Sequence, residues 1–341
     1  MIEIIENVTE EAWEKFLYTC DDATIYHTPE WKTFLEKTFG YKSKYLFAKD
    51  ESENIIGLLA SFYVRSKLRG NELCTVPFSY NSSCIGSESA KKDLLDEGIN
   101  LYHKLNADRF EIRDKVNHDK FQFQNSFCAH TVELSSDPNE VWQKISRGTR
   151  SSTKKPIKNG LSVYSTKSLE DLKEFCELNC ITKKKIGVPC HPWKFFENLF
   201  ELMDEYVILY VVKYNNEIIA GGVFQYFKDT VTFGYAACNP GYLDLRPNNL
   251  IVWKSIEDAC VNNYKYYNFG RSSYDNKGLI AFKERWGAVE TEICYSYYPN
   301  IPTSSIMNRD NLKYKLGRQV FREMPIKMYK PVSEILFKHL Y

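Results

Sequence analysis

One order of secondary-structure signals occurs twice along the chain, and this repetition constrains the fold more than any other feature. In the first half, Glu10 to Cys20 carries Trp13, Phe16, Leu17 and Cys20 on the i, i+3, i+4, i+7 stripe of a helix. Thr28 then caps a second helix, with Pro29 at its first position and Trp31, Phe34 and Leu35 on one face. Strand-like runs follow at Lys44 to Lys49, Ile55 to Val64 and Glu72 to Pro77, separated by the turn-forming stretches Asp50 to Asn54 and Lys67 to Asn71. A helix from Ala90 to Leu105 and a short strand from Arg109 to Arg113 complete an ααβββαβ unit.

The second half repeats the order. Ser168 and Asp171 form a capping-box pattern ahead of Leu172, Phe175 and Cys176, and a second helix follows Pro192 with Trp193, Phe196, Phe200 and Met203 inward. Three strands, Tyr206 to Tyr214, Glu217 to Phe227 and Thr230 to Ala237, are joined by two-residue turns and read as an antiparallel meander. A helix from Asn248 to Cys260 and a strand from Lys265 to Gly270 complete the second unit. The expected domains are therefore residues 1–136, a basic connector at 137–160, a second unit at 161–300 and a C-terminal tail at 301–341.

A chain of 341 residues buries two such cores without disulfides or metal, and its 15% aromatic content rules out a disordered or collagen-like chain. With 45 Lys+Arg against 44 Asp+Glu, the net charge is +1. No global field steers it to a polyanion, and a DNA-coating role is excluded from the expectation. The start MIEIIENVTEEAW places acids where a secretory leader needs Lys or Arg, and the ten Cys are read as reduced thiols, so a cytoplasmic location is expected. No apolar stretch reaches the roughly 18 residues that span a bilayer.

Charge bias is steepest between Val141 and Gly160, where Lys144, Arg147, Arg150, Lys154, Lys155 and Lys158 stand without an acid. A helix aligns Arg147, Arg150, Lys154 and Lys158 on one face, suited to phosphates. Pro156 is expected to kink or end that helix and leave Lys158 in a loop. A solvated basic helix between domains explains the same run. Lys183, Lys184 and Lys185 extend the patch if the fold brings them alongside.

Phe269, Gly270, Arg271 and Ser272 are expected at a strand end, where an open sheet presents side chains to ligand. Gly270 permits close backbone approach and Arg271 offers a bidentate fork, although a turn accounts for the tripeptide equally well. Lys283, flanked by Phe282 and Trp286, either lies against a developing oxyanion or snorkels to solvent. Cys176, Cys180, Cys190 and His191 match no common zinc spacing and read as buried thiols, so no metal ligands are assigned. No nucleophile elbow, Walker loop or dinucleotide fingerprint is present. The tail has eight Lys/Arg against three acids and two amphipathic stretches, expected to break around Pro325 and Pro331. It suits docking on the protein's own body or lying on an anionic membrane surface.

Taken in order, these pieces resemble the Fem family of non-ribosomal peptidyl and aminoacyl transferases and the FemAB-like proteins of exopolysaccharide clusters. The resemblance runs over nearly the full length. It rests on YHTPEW (Tyr26–Trp31), the basic connector with Arg147, Arg150 and Lys154, Lys185 to Pro189, Pro247 to Trp253, FGRS from Phe269 and FKERWG from Phe282. The tail from Asn311 through Met324 and Pro325 looks most like the exopolysaccharide branch.

The resemblance implies an α/β (α+β) fold of two tandem GNAT-like units, each a mixed, largely antiparallel sheet flanked by helices, without the coiled-coil insertion of staphylococcal-type members. It implies transfer of an acyl or aminoacyl group onto an amine of a cell-envelope or exopolysaccharide precursor. The donor is aminoacyl-tRNA or an acyl-CoA or acyl-carrier, with no certain cofactor. Lys283 matches the family's key cationic residue. Trp31, Tyr235, Asn248, Arg271, Ser272 and Phe282 are the expected substrate contacts, and Arg147, Arg150 and Lys154 the donor or phosphate contacts. Leu35 lies in the region, about one turn after Trp31, where some members that use lipid- or nucleotide-linked muropeptides have Lys. Cys238 to Asn249 holds only Gly241 and lacks the Gly-rich coenzyme A loop, so the sequence does not support acetyl-CoA. The remaining implications are a possible tRNA partner, a possible peripheral contact of the tail with the inner membrane face, and no DNA. A non-catalytic binding module is the alternative from another class.

Overall fold

The computed structural model describes residues 2–302 and 312–340. Its contacts divide the chain into two compact units, one of residues 1–127, 292–306 and 338–341, the other of residues 128–291 and 307–337. The division falls at Phe127/Cys128, within the strand Gln122–Glu133.

The first unit begins with β1 (Glu3–Ile5), α1 (Glu10–Thr19) and α2 (Pro29–Phe39). It continues with β2 (Lys42–Lys49), β3 (Ile55–Ser66), β4 (Gly70–Thr75), β5 (Cys84–Gly86), α3 (Glu88–Lys104) and β6 (Arg109–Ile112). Thr28 caps α2 through a 3.2 Å bond from the Trp31 amide, Pro29 occupies the first turn, and Gly40 closes the helix at φ 68°. β1 to β4 pair antiparallel, whereas β4 and β6 pair in parallel because α3 carries the chain across. Leu59, Leu73, Leu94 and Phe110 lie in the core that α3 closes against these strands.

β7 (Gln122–Glu133) leads into the second unit. There follow α4 (Pro138–Lys144), α5 (Arg147–Lys158), β8 (Ser162–Thr166), α6 (Leu169–Ile186), α7 (Trp193–Leu202), β9 (Val207–Tyr214), β10 (Glu217–Phe227) and β11 (Thr230–Cys238). α8 (Pro247–Val261), β12 (Tyr266–Ser273), α9 (Lys277–Glu284) and β13 (Val289–Tyr298) complete the order before α10 (Leu312–Glu323) and α11 (Ile326–Phe337). The arrangement of the first unit returns. β8 to β11 pair antiparallel, and β11 and β12 pair in parallel after the crossover helix α8. Ile251, Val252 and Ile256 of α8 and Tyr267 and Trp286 lie in one buried core with Phe224 of β10. Each unit is thus a mixed, largely antiparallel sheet with flanking helices. Among the described residues, the longest helix of the second unit is α6, with 18 residues, so no coiled-coil insertion is present there.

Four local expectations are corrected. Ser168 caps α6 by accepting from the Glu170 and Asp171 amides, but the Asp171 carboxylate turns to the Tyr164 hydroxyl at 3.2 Å and to Lys213, leaving the capping box half made. α5 runs through Pro156 to Lys158, since one missing N–H near its end is outweighed by burying Thr149, Thr153 and Pro156. α11 likewise contains Pro331, held on either side by the buried Tyr329, Ser333 and Phe337. β12 continues past Gly270 to Ser273; Gly270, at φ 66°, bends the strand rather than ending it.

The tail docks on its own unit. Arg318 donates to the Ile186 carbonyl at 3.0 and 2.7 Å, satisfying the end of α6, and Lys330 meets Glu177 at 2.6 Å. Arg309, Asp310 and Asn311 of the tail lie outside the described residues, as does the side chain of Lys313.

Candidate functional site

Lys283 is built into the second unit by a short helix and a bent strand. α9 buries only Lys283, while the half-buried Phe282 and the buried Trp286 anchor the segment to the core edge-on, with ring centroids 6.2 Å apart. The Trp286 and Gly287 amides close the turn onto the Lys283 and Glu284 carbonyls. Gly270, held by a 2.7 Å bond from its amide to Asn268 Oδ1, presents its carbonyl to Lys283 Nζ at 2.7 Å. An L side chain at that φ is strained, so the glycine is what allows the carbonyl to turn.

Lys283 is 3% exposed, and burial lowers its ammonium to about 8 from an ordinary 10.5. It therefore remains mainly cationic at neutral pH. Having three N–H donors and one bound acceptor, it retains two for a ligand.

The groups around it come from β7 and β13, which the sequence reading left unassigned. Cys128 and His130 are buried and lie on one face of β7, two residues apart. The Cys128 Sγ–H points to the Ser272 carbonyl at 3.7 Å, and burial, reinforced by Glu290, raises its thiol to about 11. His130 is held below its ordinary value by burial and by the charge of Lys283. Neither of its ring nitrogens has a hydrogen-bond partner. Glu290, from the start of β13, approaches His130 Nε2 at 3.4 Å. The i, i+2 spacing of Cys128 and His130 was the available sequence signal; Glu290 had none.

The predicted residues fall into distinct places. Ser272 is buried beside Cys128, and its Oγ lacks a partner. Arg271 and Phe282 are half-buried, and Asn248 is half-buried in the first turn of α8. Tyr235 belongs to an aromatic cluster with His191, Phe195 and Phe196, at ring-centroid distances of 5.0 to 5.6 Å. Trp31 is 0% exposed in the core of the first unit, edge-on to Tyr26 and Phe34, so packing accounts for it.

α5 displays Arg147 and Lys154 to solvent and Arg150 at a half-buried position, while its opposite face packs on α8. Lys154 also lies 5.7 Å from the Trp142 ring. The Ser146 amide, at the N-cap of α5, donates to the Arg285 carbonyl at 3.1 Å, which ties the start of this basic helix to the segment carrying Lys283. Lys184 and Lys185 line a separate cavity of about 450 Å³ with Ile181, Pro240, Arg322 and Ile326. Cys180 and Cys190 are buried with their sulfurs 2.9 Å apart.

Residues 143–283 match the family model of the acetyltransferase (GNAT) domain. No curated protein matches the sequence. Among solved structures, the chain is similar to FemX at 15% identity and TM-score 0.70, covering 94% of this chain and all of that one. The chain has the FemAB-like tandem GNAT fold. The same fold extends to the C-terminal domain of a putative lysylphosphatidylglycerol synthetase from Agrobacterium fabrum, at 12% identity and TM-score 0.59, covering 86% of this chain and 92% of that one. It also extends to a tandem GNAT protein from the clavulanic acid biosynthesis pathway, at 8% identity and TM-score 0.57, covering 89% and 100%. The match to the acetyltransferase (GNAT) domain over residues 143–283 classes the chain with the transferases. No helix among its described residues is long and apolar enough to cross a membrane.

Proposed function

We propose that the protein transfers an acyl or aminoacyl group to an amine of a cell-envelope or exopolysaccharide precursor, with Lys283 as the catalytic cation. The observation that carries this reading is the buried Lys283 ammonium, fixed by the Gly270 carbonyl and left with two free donors. In the transfer, the free amine attacks the donor carbonyl carbon and forms the C–N bond. The carbonyl oxygen becomes an oxyanion that Lys283 stabilises. Collapse breaks the bond to the donor's oxygen or sulfur, which leaves with the proton lost by the amine. No covalent enzyme intermediate is required.

Arg271, Ser272, Asn248, Phe282 and Tyr235 are assigned to substrate contact in this proposal, Trp31 supports the first unit, and Arg147, Arg150 and Lys154 hold donor phosphates. The tie between Ser146 and Arg285 sets this basic helix against the segment of the catalytic cation, which suits a phosphate-bearing donor, aminoacyl-tRNA in the first reading. An acyl-CoA or acyl-carrier donor is the second reading, favoured by the GNAT match over residues 143–283. Exposed Leu316, Val320, Ile326 and Met328 among basic residues suit a peripheral contact of the tail with an anionic membrane face, on the cytoplasmic side.

Lys283→Met is expected to cut turnover at least tenfold with the circular dichroism unchanged; turnover equal to wild type would remove Lys283 from the mechanism. Thermal shift separates the donors, since a ligand at 100 times its Kd stabilises by about 2.7 kcal/mol. A shift with acetyl-CoA and none with aminoacyl-tRNA would select the second reading.

A further inference from the structure

Three potential ligand atoms of different chemistry, Cys128 Sγ, one ring nitrogen of His130 and a carboxylate oxygen of Glu290, lie within 4.8 Å of one another. Two are supplied by one face of β7 and the third by the neighbouring start of β13. A second observation points to the same spot: His130 is 0% exposed, yet neither ring nitrogen makes a hydrogen bond. A buried imidazole is ordinarily bonded at one nitrogen at least. Its contact with Glu290 is close, 3.4 Å between Nε2 and Oε2, but not a hydrogen bond.

That separation fits a different use. Two ligand atoms each about 2.1 Å from a tetrahedral ion stand about 3.4 Å apart. The thiolate of Cys128 completes the set after a small closing movement, because sulfur sits about 2.3 Å from zinc and therefore about 3.6 Å from a neighbouring ligand.

We infer that Cys128, His130 and Glu290 form a binding site for a zinc-class divalent ion beside Lys283. The mixed sulfur, nitrogen and oxygen donors select zinc-like ions over magnesium or calcium, which take oxygen alone. On binding, the Cys128 thiol releases its proton to solvent and coordinates as thiolate. The Glu290 side chain is 39% exposed and gives the ion a route from solvent. Three protein ligands leave the fourth tetrahedral position to water. The site is independent of which group the enzyme transfers.

Cobalt(II) added to the chelator-stripped full-length protein tests the inference. The expected result is a thiolate-to-cobalt charge-transfer band of one equivalent, displaced by zinc. Cys128→Ser should abolish the band, and Glu290→Gln, at the partly exposed ligand, should weaken cobalt affinity at least tenfold with circular dichroism unchanged. Cys180→Ser separates this site from the Cys180/Cys190 thiol pair and should leave the band intact. The inference is overturned by absence of the band, by its persistence in Cys128→Ser, by its loss in Cys180→Ser, or by wild-type affinity in Glu290→Gln. Should Cys128→Ser fail to fold, the Glu290→Gln and Cys180→Ser arms decide alone.

Discussion

The two units share a strand order but differ in one cluster of buried polar groups each. In the first, Glu72, Glu111 and Arg113 are buried and face one another and the rim guanidiniums of Arg69 and Arg109. Arg69 meets Glu72 and Glu111 at 3.2 Å each, Arg113 meets Glu111 at 3.2 Å, and Arg109 pairs with Glu72. Burial alone would raise the Glu111 carboxyl; Arg69, Arg113 and Arg109 outweigh it and hold the group below its usual range. In the second unit, among the described residues Lys283 has no ion pair and a single carbonyl acceptor, while His130 and Ser272 Oγ have no hydrogen-bond partner. A paired cluster holds a fold together and offers a ligand nothing. A cation with free donors beside unpaired groups strains the fold slightly and is ready for a ligand.

Breaking the paired cluster gives the largest expected effect. Glu111→Gln leaves buried guanidinium charge without its counterion and is expected to lower unfolding free energy by about 3–5 kcal/mol, read from chemical denaturation. A loss below about 1 kcal/mol would show that the first unit's pairs contribute no more than surface pairs, and the contrast between the units would fail.

Lys283 should behave in the reverse sense. Its folded value, about 8, lies below its ordinary 10.5. Between these pH values the unfolded chain binds the proton that the folded chain has released, so stability rises with pH across that window. Subtracting the Lys283→Met profile isolates the effect, expected to be about 3 kcal/mol between pH 8 and 10.5. Lys283-dependent turnover should fall as pH rises through about 8, because the cation that faces the oxyanion is lost. A flat difference in stability would mean that Lys283 is solvated in the folded protein.

These contrasts also mark what was legible in the chain. Period and capping located α2, the β9–β10–β11 meander and α8 within a few residues, because each carries its own apolar stripe and turn residues. β7 was missed because Gln122 to Asn125 is exposed throughout, Phe123 included, and Gln124, Asn125 and Ser126 in succession break the alternation that Phe121 and Phe123 begin. With β7 went Cys128 and His130. Lys283 was found through the Fem resemblance, since a lysine between aromatics fits a snorkelling side chain equally well. Glu290 becomes meaningful only once strand pairing sets it beside His130, a contact between residues 160 positions apart in sequence that no local pattern encodes.

The smallest predicted effect sharpens the comparison at two helix caps of similar chemistry. Thr28 Oγ1 is buried, accepts from the Trp31 amide at 3.2 Å and donates to the Ile25 carbonyl at 3.0 Å. Ser168 Oγ accepts from Glu170 and Asp171 at 3.2 and 3.4 Å in an exposed setting where water can replace it. Thr28→Ala therefore leaves buried backbone groups unpaired and is expected to cost about 2 kcal/mol, against about 0.5–1 kcal/mol for Ser168→Ala. Thermal denaturation of the two variants in parallel checks the order. Equal losses would mean that water reaches the Thr28 cap as well, and that the interior of the first unit is less closed than its ion-pair cluster implies.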